Sequence, residues 1–79
     1  MKIINVDPEI MSGAPVFAGT RVPIKNLFDS LECGETIEEF LDGFPSVRRE
    51  QVIGLLEATY QLVVTSALLF DENFVLTER

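Results

Sequence analysis

Thr36-Ile37-Glu38-Glu39-Phe40-Leu41-Asp42-Gly43-Phe44-Pro45-Ser46-Val47-Arg48-Arg49-Glu50-Gln51 is the stretch on which the fold depends. It opens as a capping box: Thr36 accepts from the amide of residue 39 while Glu39 reaches back to the amide of Thr36. Ile37, Phe40, Leu41 and Phe44 recur at helical spacing, and Gly43 with Pro45 ends a helix over 36–44. Ser46 is placed to cap a further helix running from Val47 through at least Val63. A short helix, a tight Gly-Phe-Pro-Ser turn and a helix led by polar side chains match a helix-turn-helix. In that motif the second helix enters the major groove by its N-terminal residues, here Arg48, Arg49 and Gln51, with Ser46 beside them. Arginines in a first helical turn oppose the macrodipole, and an anion held there by amides and guanidiniums relieves both. The same corner also occurs in small helical proteins that never touch DNA.

Upstream, a helix beginning near Pro23 carries Ile24, Leu27, Phe28 and Leu31 at i, i+3, i+4 and i+7, and Gly34 closes it as a C-terminal cap. Arg21 and Lys25 bracket its entry and join the basic residues available to DNA. Before it, Ile3-Ile4-Asn5-Val6 reads as a strand over 3–6 that stops at Asp7-Pro8. Ser12-Gly13 and Gly19-Thr20 punctuate the residues between Pro8 and Pro23, so two or three short strands wrap around glycine turns as a hairpin-like arm. An element so small is not stable alone; it packs on the helices or pairs with another chain. The fold class is therefore mainly α: a three-helix, helix-turn-helix bundle with a short N-terminal β-hairpin arm. Residues 1–70 form a single domain (arm 1–22, helical part 23–70), and 71–79 is a polar C-terminal tail.

The third helix is apolar on more than one side. Val52, Leu55, Leu56, Thr59 and Val63 form one stripe, while Ile53, Tyr60, Val64 and Leu68 widen it, and only Glu57 is charged between Gln51 and Phe70. Such a helix needs a second surface to bury it. Either the arm and the first two helices cover it or another chain does. If a partner does, Tyr60, Val63, Val64, Ala67, Leu68 and Phe70 are its contacts. The uncharged run from Ala58 to Phe70 is 13 residues. That falls short of the ~17–25 residues that span a bilayer, so no membrane role is expected. With no signal-peptide pattern near Met1, the expected location is the cytoplasm.

Composition narrows the chemistry. Among 79 residues, 6 Lys and Arg face 13 Asp and Glu, a net charge of −7, and histidine is absent. Histidine-based acid–base catalysis, Ser-His-Asp and Cys-His pairs and His-ligated metals are excluded. The single cysteine, Cys33, excludes an intramolecular disulfide and fits a reducing compartment. Asp29, Glu32, Glu35, Glu38, Glu39 and Asp42 cluster with no Lys or Arg between Asn26 and Val47. Glu38 and Asp42, at i and i+4, could hold a divalent ion or act as an acid–base pair. A solvated helix face is the stronger reading, because nothing apolar flanks these carboxylates to shift a pKa. We expect no enzyme, cofactor, metal or small-molecule substrate. The negative charge also opposes phosphate binding.

The segment Ser12-Gly13-Ala14-Pro15-Val16-Phe17-Ala18-Gly19-Thr20-Arg21-Val22-Pro23 lacks the Lys-Ser/Thr pair and the spacing of a phosphate loop. It reads as a structural clasp built on Gly13, Pro15, Gly19, Thr20, Arg21 and Pro23, with Gly34 and Pro45 as punctuation further on. This segment, with Asp7-Pro8-Glu9-Ile10, Leu27-Phe28, Leu31, Gly34, Ile37-Glu38-Glu39-Phe40-Leu41, Phe44-Pro45, Val47 and Glu50-Gln51, resembles domain-of-unknown-function family 433 over about residues 3–60. The resemblance implies a homeodomain-like three-helix fold with a β arm, and a VapB-type antitoxin of a bacterial or archaeal toxin–antitoxin pair. It further implies a partner, a small PIN-like ribonuclease encoded alongside. Positions 14 and 18, often polar or basic in relatives, are alanine here, which leaves the arm fewer groups to offer a nucleic acid.

Physics and resemblance join in one expectation. A homodimer presents Arg48 and Arg49 to operator DNA and represses its own gene, while the C-terminal helix and acidic tail cover the nuclease. The competing expectation is a non-catalytic oligomeric interaction module with no nucleic-acid role.

Overall fold

Ile4 lies opposite Phe17 and Asn5 opposite Val16 in the antiparallel pairing of β1 (Ile4–Asn5) with β2 (Val16–Phe17). The computed structural model describes residues 1–67. Val16 also bridges Pro23, so the arm makes three short passes through the expected region. The first strand is shorter than the 3–6 expected. Asp7 already begins a turn, its carboxylate accepting from the Glu9 amide at 2.8 Å and its carbonyl from the Ile10 amide at 2.8 Å. Thr20 fastens the second turn: its hydroxyl donates to the Phe17 carbonyl at 2.8 Å and accepts from the Val22 amide at 3.0 Å. Gly19 beside it takes a φ of +80°, open to glycine at no steric cost.

Three α-helices follow among the described residues: α1 (Ile24–Glu32), α2 (Ile37–Gly43) and α3 (Arg49–Thr65). Pro23 stands immediately before α1 and not inside its first turn, because its extended backbone (ψ 143°) serves the bridge to Val16. The C-terminus of α1 is a complete Schellman motif. Gly34 at φ +92° donates its amide to Leu31 at 3.0 Å, and Glu35 donates to Ser30 at 3.0 Å, which satisfies two end carbonyls. The capping box forms on α2 as expected, with Glu39 N to Thr36 Oγ1 at 3.1 Å and Thr36 N to Glu39 Oε1 at 2.8 Å.

The start of α3 corrects the expected cap. Ser46 is exposed, and the N-cap position belongs to Arg48, so the helix begins at Arg49. Burial of Val47 explains the shift. Its amide closes a turn onto the Phe44 carbonyl at 3.0 Å and its side chain enters the core, which holds residues 44–47 out of helical register.

That core is Phe17, Leu27, Phe40, Val47, Val52 and Leu55, one contribution or more from the arm and from every helix. The rings of Phe17 and Phe40 meet at a centroid distance of 6.1 Å, tilted by 50°, within the range of favourable edge-on contact. Ile3 reaches over the core to α3 at Gly54, where a Cβ would stand 2.5 Å from Ile3 Cδ1. The arm thus rests on α3 because position 54 has no side chain. Among the described residues no helix is long and apolar enough to cross a membrane.

Candidate functional site

Two of the candidate basic residues are held by carboxylates of the same chain. Arg49, the first residue of α3, pairs with Glu38 of α2. The anion that the arginine-led turn favours is therefore supplied from within the chain. Lys25 pairs with Asp29 one turn along α1 at 2.6 Å. That hydrogen bond, and the carboxylate charge behind it, hold the Lys25 ammonium pKa above its ordinary value. Among the described residues, Arg21 and Arg48 take part in no ion pair and both are exposed, as is Ser46.

Gln51 overturns its expected placement at a DNA surface. It is 3% exposed, and its Oε1 accepts from the Arg48 amide at 3.0 Å while its Nε2 donates to the Ala18 carbonyl at 2.9 Å. Both ends of the amide are used inside the molecule. Gln51 joins the arm's turn to the head of α3, and no base edge can reach it.

Helix α3 runs past the core it begins in. Leu55 and Leu62 are seven residues apart and share a helix face, yet Leu55 is 5% exposed and Leu62 is 65% exposed. Two turns suffice to carry the same face from the interior into solvent. Tyr60, Val63 and Val64 are exposed on the other sides of the same turns, and Ala67 just after them is exposed too. With Ile53 they form an apolar stripe that neither the arm nor α1 and α2 buries. Leu62 is not among the expected contacts, and its seven-residue spacing from Leu55 does not by itself report where the core stops. The expected contacts Leu68 and Phe70, with the 71–79 tail, lie outside the described residues.

The clasp residues divide by role. Gly19, Thr20 and Gly34 shape turns through positive φ or side-chain hydrogen bonds. The Pro15 carbonyl receives the Ile24 amide at 2.9 Å, which seats the first residue of α1 on the arm. Gly13 ends a short 3-10 helix (Met11–Gly13) at φ +87°, Pro45 lies in the turn after α2, and Arg21 is exposed with no side-chain hydrogen bond among the described residues. Of the acidic run, Glu38 faces Arg49, Asp29 faces Lys25 and Glu39 caps α2, so three carboxylates are already engaged. Among the described residues no group of three or more acidic or cysteine side chains is arranged to hold a metal ion.

Residues 4–57, the arm, α1, α2 and the buried half of α3, match the model of the family described as "Protein of unknown function (DUF433)". The chain belongs to the DUF433 family. A relative, "Uncharacterized protein y4eO" of Sinorhizobium fredii (strain NBRC 101917 / NGR234), is 35% identical over 51 residues, 65% of this chain. The chain spans 23% of that protein's length. No solved structure matches the chain. The DUF433 match stops at residue 57, so the exposed end of α3 lies beyond it.

Proposed function

We propose that this DUF433 chain is a non-catalytic binding protein, the VapB-type antitoxin half of a toxin–antitoxin pair. The overhanging end of α3 lies in an apolar groove of its partner, a small, basic, PIN-like ribonuclease. The observation that carries this reading is the contrast between Leu55 and Leu62 on one face of α3. A stable monomer gains nothing by extending an apolar helix two turns into water, whereas a groove-binding helix is read by its partner through such anchors. The net charge of −7 supports the same reading. A nuclease presents a basic surface to RNA phosphates, and an acidic chain occupies that surface in their place.

Operator binding is a weaker second reading. In its support, α2 and α3 follow one another across a short turn, and Arg48 and Arg21 are exposed and take part in no ion pair among the described residues. Gln51 and Arg49, however, are engaged inside the chain. Direct base readout is therefore not supported by these residues.

Truncation after Tyr60 tests the main reading, since it removes Leu62, Val63 and Val64 and spares every core residue. The truncated chain retains its helical circular dichroism and cooperative melting and loses the nuclease. Undiminished binding by the truncated chain contradicts the proposal.

A further inference from the structure

We propose that the outer edge of β1 is a homodimer interface, in which β1 pairs antiparallel with the same strand of a second copy. Among the described residues, the ladder shows which backbone groups are open. The Ala18 amide donates to the Ile3 carbonyl at 2.8 Å, while the Phe17 amide turns the other way to the Val22 carbonyl at 3.0 Å. Polar groups alternate sides along a strand, so Ile3 and Asn5 address β2 while Ile4 and Val6 point theirs away from it.

That outer edge is short and flanked by Lys2 and Asp7, but its own residues are apolar and uncovered among the described residues. Ile4 is 40% exposed and Val6 61% exposed, and no proline or bulge interrupts Ile3-Ile4-Asn5-Val6. Exposed β-branched edges of this kind pair with other strands unless something prevents it. A two-stranded sheet of two-residue strands is also marginal alone, and joining two copies makes it four-stranded. Beside Ile4 lies a groove of about 610 Å³, lined mostly by apolar surface from Ala14, Pro15, Pro23 and Ile24.

Charge selects a second copy as the occupant. The strand has a cation at one end, Lys2, and an anion at the other, Asp7. Antiparallel pairing brings each Lys2 end alongside the partner's Asp7 end, whereas parallel pairing sets like charges together. A two-fold axis at Asn5 places Ile4 opposite the partner's Val6, at the mouth of the groove. Cross-strand neighbours share a face, so two exposed β-branched side chains cover one another on each side of the axis. This interface leaves the end of α3 free, and it stands or falls separately from the antitoxin reading.

Sedimentation equilibrium of the full chain tests it. The expected mass is twice the 8.8 kDa of one chain. Val6→Lys, which charges the edge, and Ile4→Pro, which removes an amide that β2 does not use, each return the protein to one chain with its helical signal intact. Leu62→Lys leaves the dimer in place. In a Cys33→Ser background, Asn5→Cys oxidises to a covalent dimer, because facing Cα atoms in a non-hydrogen-bonded pair lie ~4.5 Å apart, within disulfide reach. A monomeric wild type, a dimer that survives both edge variants, or one that Leu62→Lys dissolves overturns the proposal.

Discussion

The Gln51 side-chain amide donates to the Ala18 carbonyl at 2.9 Å, across 33 residues of sequence, and so binds the glycine-turn arm to the head of α3. Gln51 is buried, and its Oε1 also accepts from the Arg48 amide at 3.0 Å. Replacing it by alanine strands two backbone groups, one on each element. Gln51→Ala is expected to cost about 1–3 kcal/mol, measured by urea denaturation. Gln51→Glu keeps the bond to Arg48 but sets a carboxylate against the Ala18 carbonyl, and should lose a similar amount at neutral pH. A Gln51→Ala protein as stable as wild type would show that this bond does not hold the arm.

Gly54 predicts a compensating pair. A Cβ there meets only the far end of Ile3, at 2.5 Å from Cδ1. Gly54→Ala therefore trades a helix-propensity gain of about 1 kcal/mol against a rotation of Ile3, and stability changes little. Gly54→Leu displaces Ile3 outright and is expected to cost about 1–3 kcal/mol. Adding Ile3→Ala to Gly54→Leu should recover part of that loss, a coupling that a double-mutant cycle of denaturation energies measures.

Gly34 holds φ +92° at the end of α1, and any L side chain is strained there. Gly34→Ala is expected to destabilise the protein by about 1–2 kcal/mol. Thr36→Ala, which removes the cap of α2, is expected to cost ~1 kcal/mol. The two lie within one short connection, so the double variant reports whether the α1–α2 turn forms as a unit. Thermal melts of the three proteins give the comparison.

Features written in local chemistry are legible in the sequence. The capping box at Thr36 and Glu39, the glycine stop at Gly34 and the heptad-like spacing of Ile24, Leu27, Phe28 and Leu31 all depend on residues within a few positions of one another. Features set by long-range burial are not. Ser46 is a better cap than Arg48 by side-chain chemistry, but core burial of Val47 places the helix start after it. Gln51 looks like a groove-facing polar residue until Ala18 is brought beneath it. Leu62 carries the same periodicity as Leu55, and only the extent of the core separates them.

The candidate nucleic-acid contacts separate by salt dependence. If duplex DNA is bound, Arg48→Ala and Arg21→Ala each reduce the slope of log K against log salt by ~0.9 for every phosphate the arginine neutralises. Arg49→Ala, already paired with Glu38, changes the slope little. Fluorescence anisotropy across a salt series resolves the three. A larger effect at Arg49 than at Arg48 would mean that the ion pair to Glu38 yields to phosphate.

The central claim is that the exposed end of α3 is a partner-binding helix. Its most direct test is an affinity capture of the tagged chain from the organism that encodes it, beside a Leu62→Lys/Val64→Lys variant. The eluates are read by mass spectrometry and by absorbance at 260 and 280 nm. The account predicts a small, basic, nuclease-like protein at near 1:1 with the wild type, absent from a variant that melts at the wild-type temperature. A partner retained by the variant, or a wild-type eluate containing this chain alone, would contradict it.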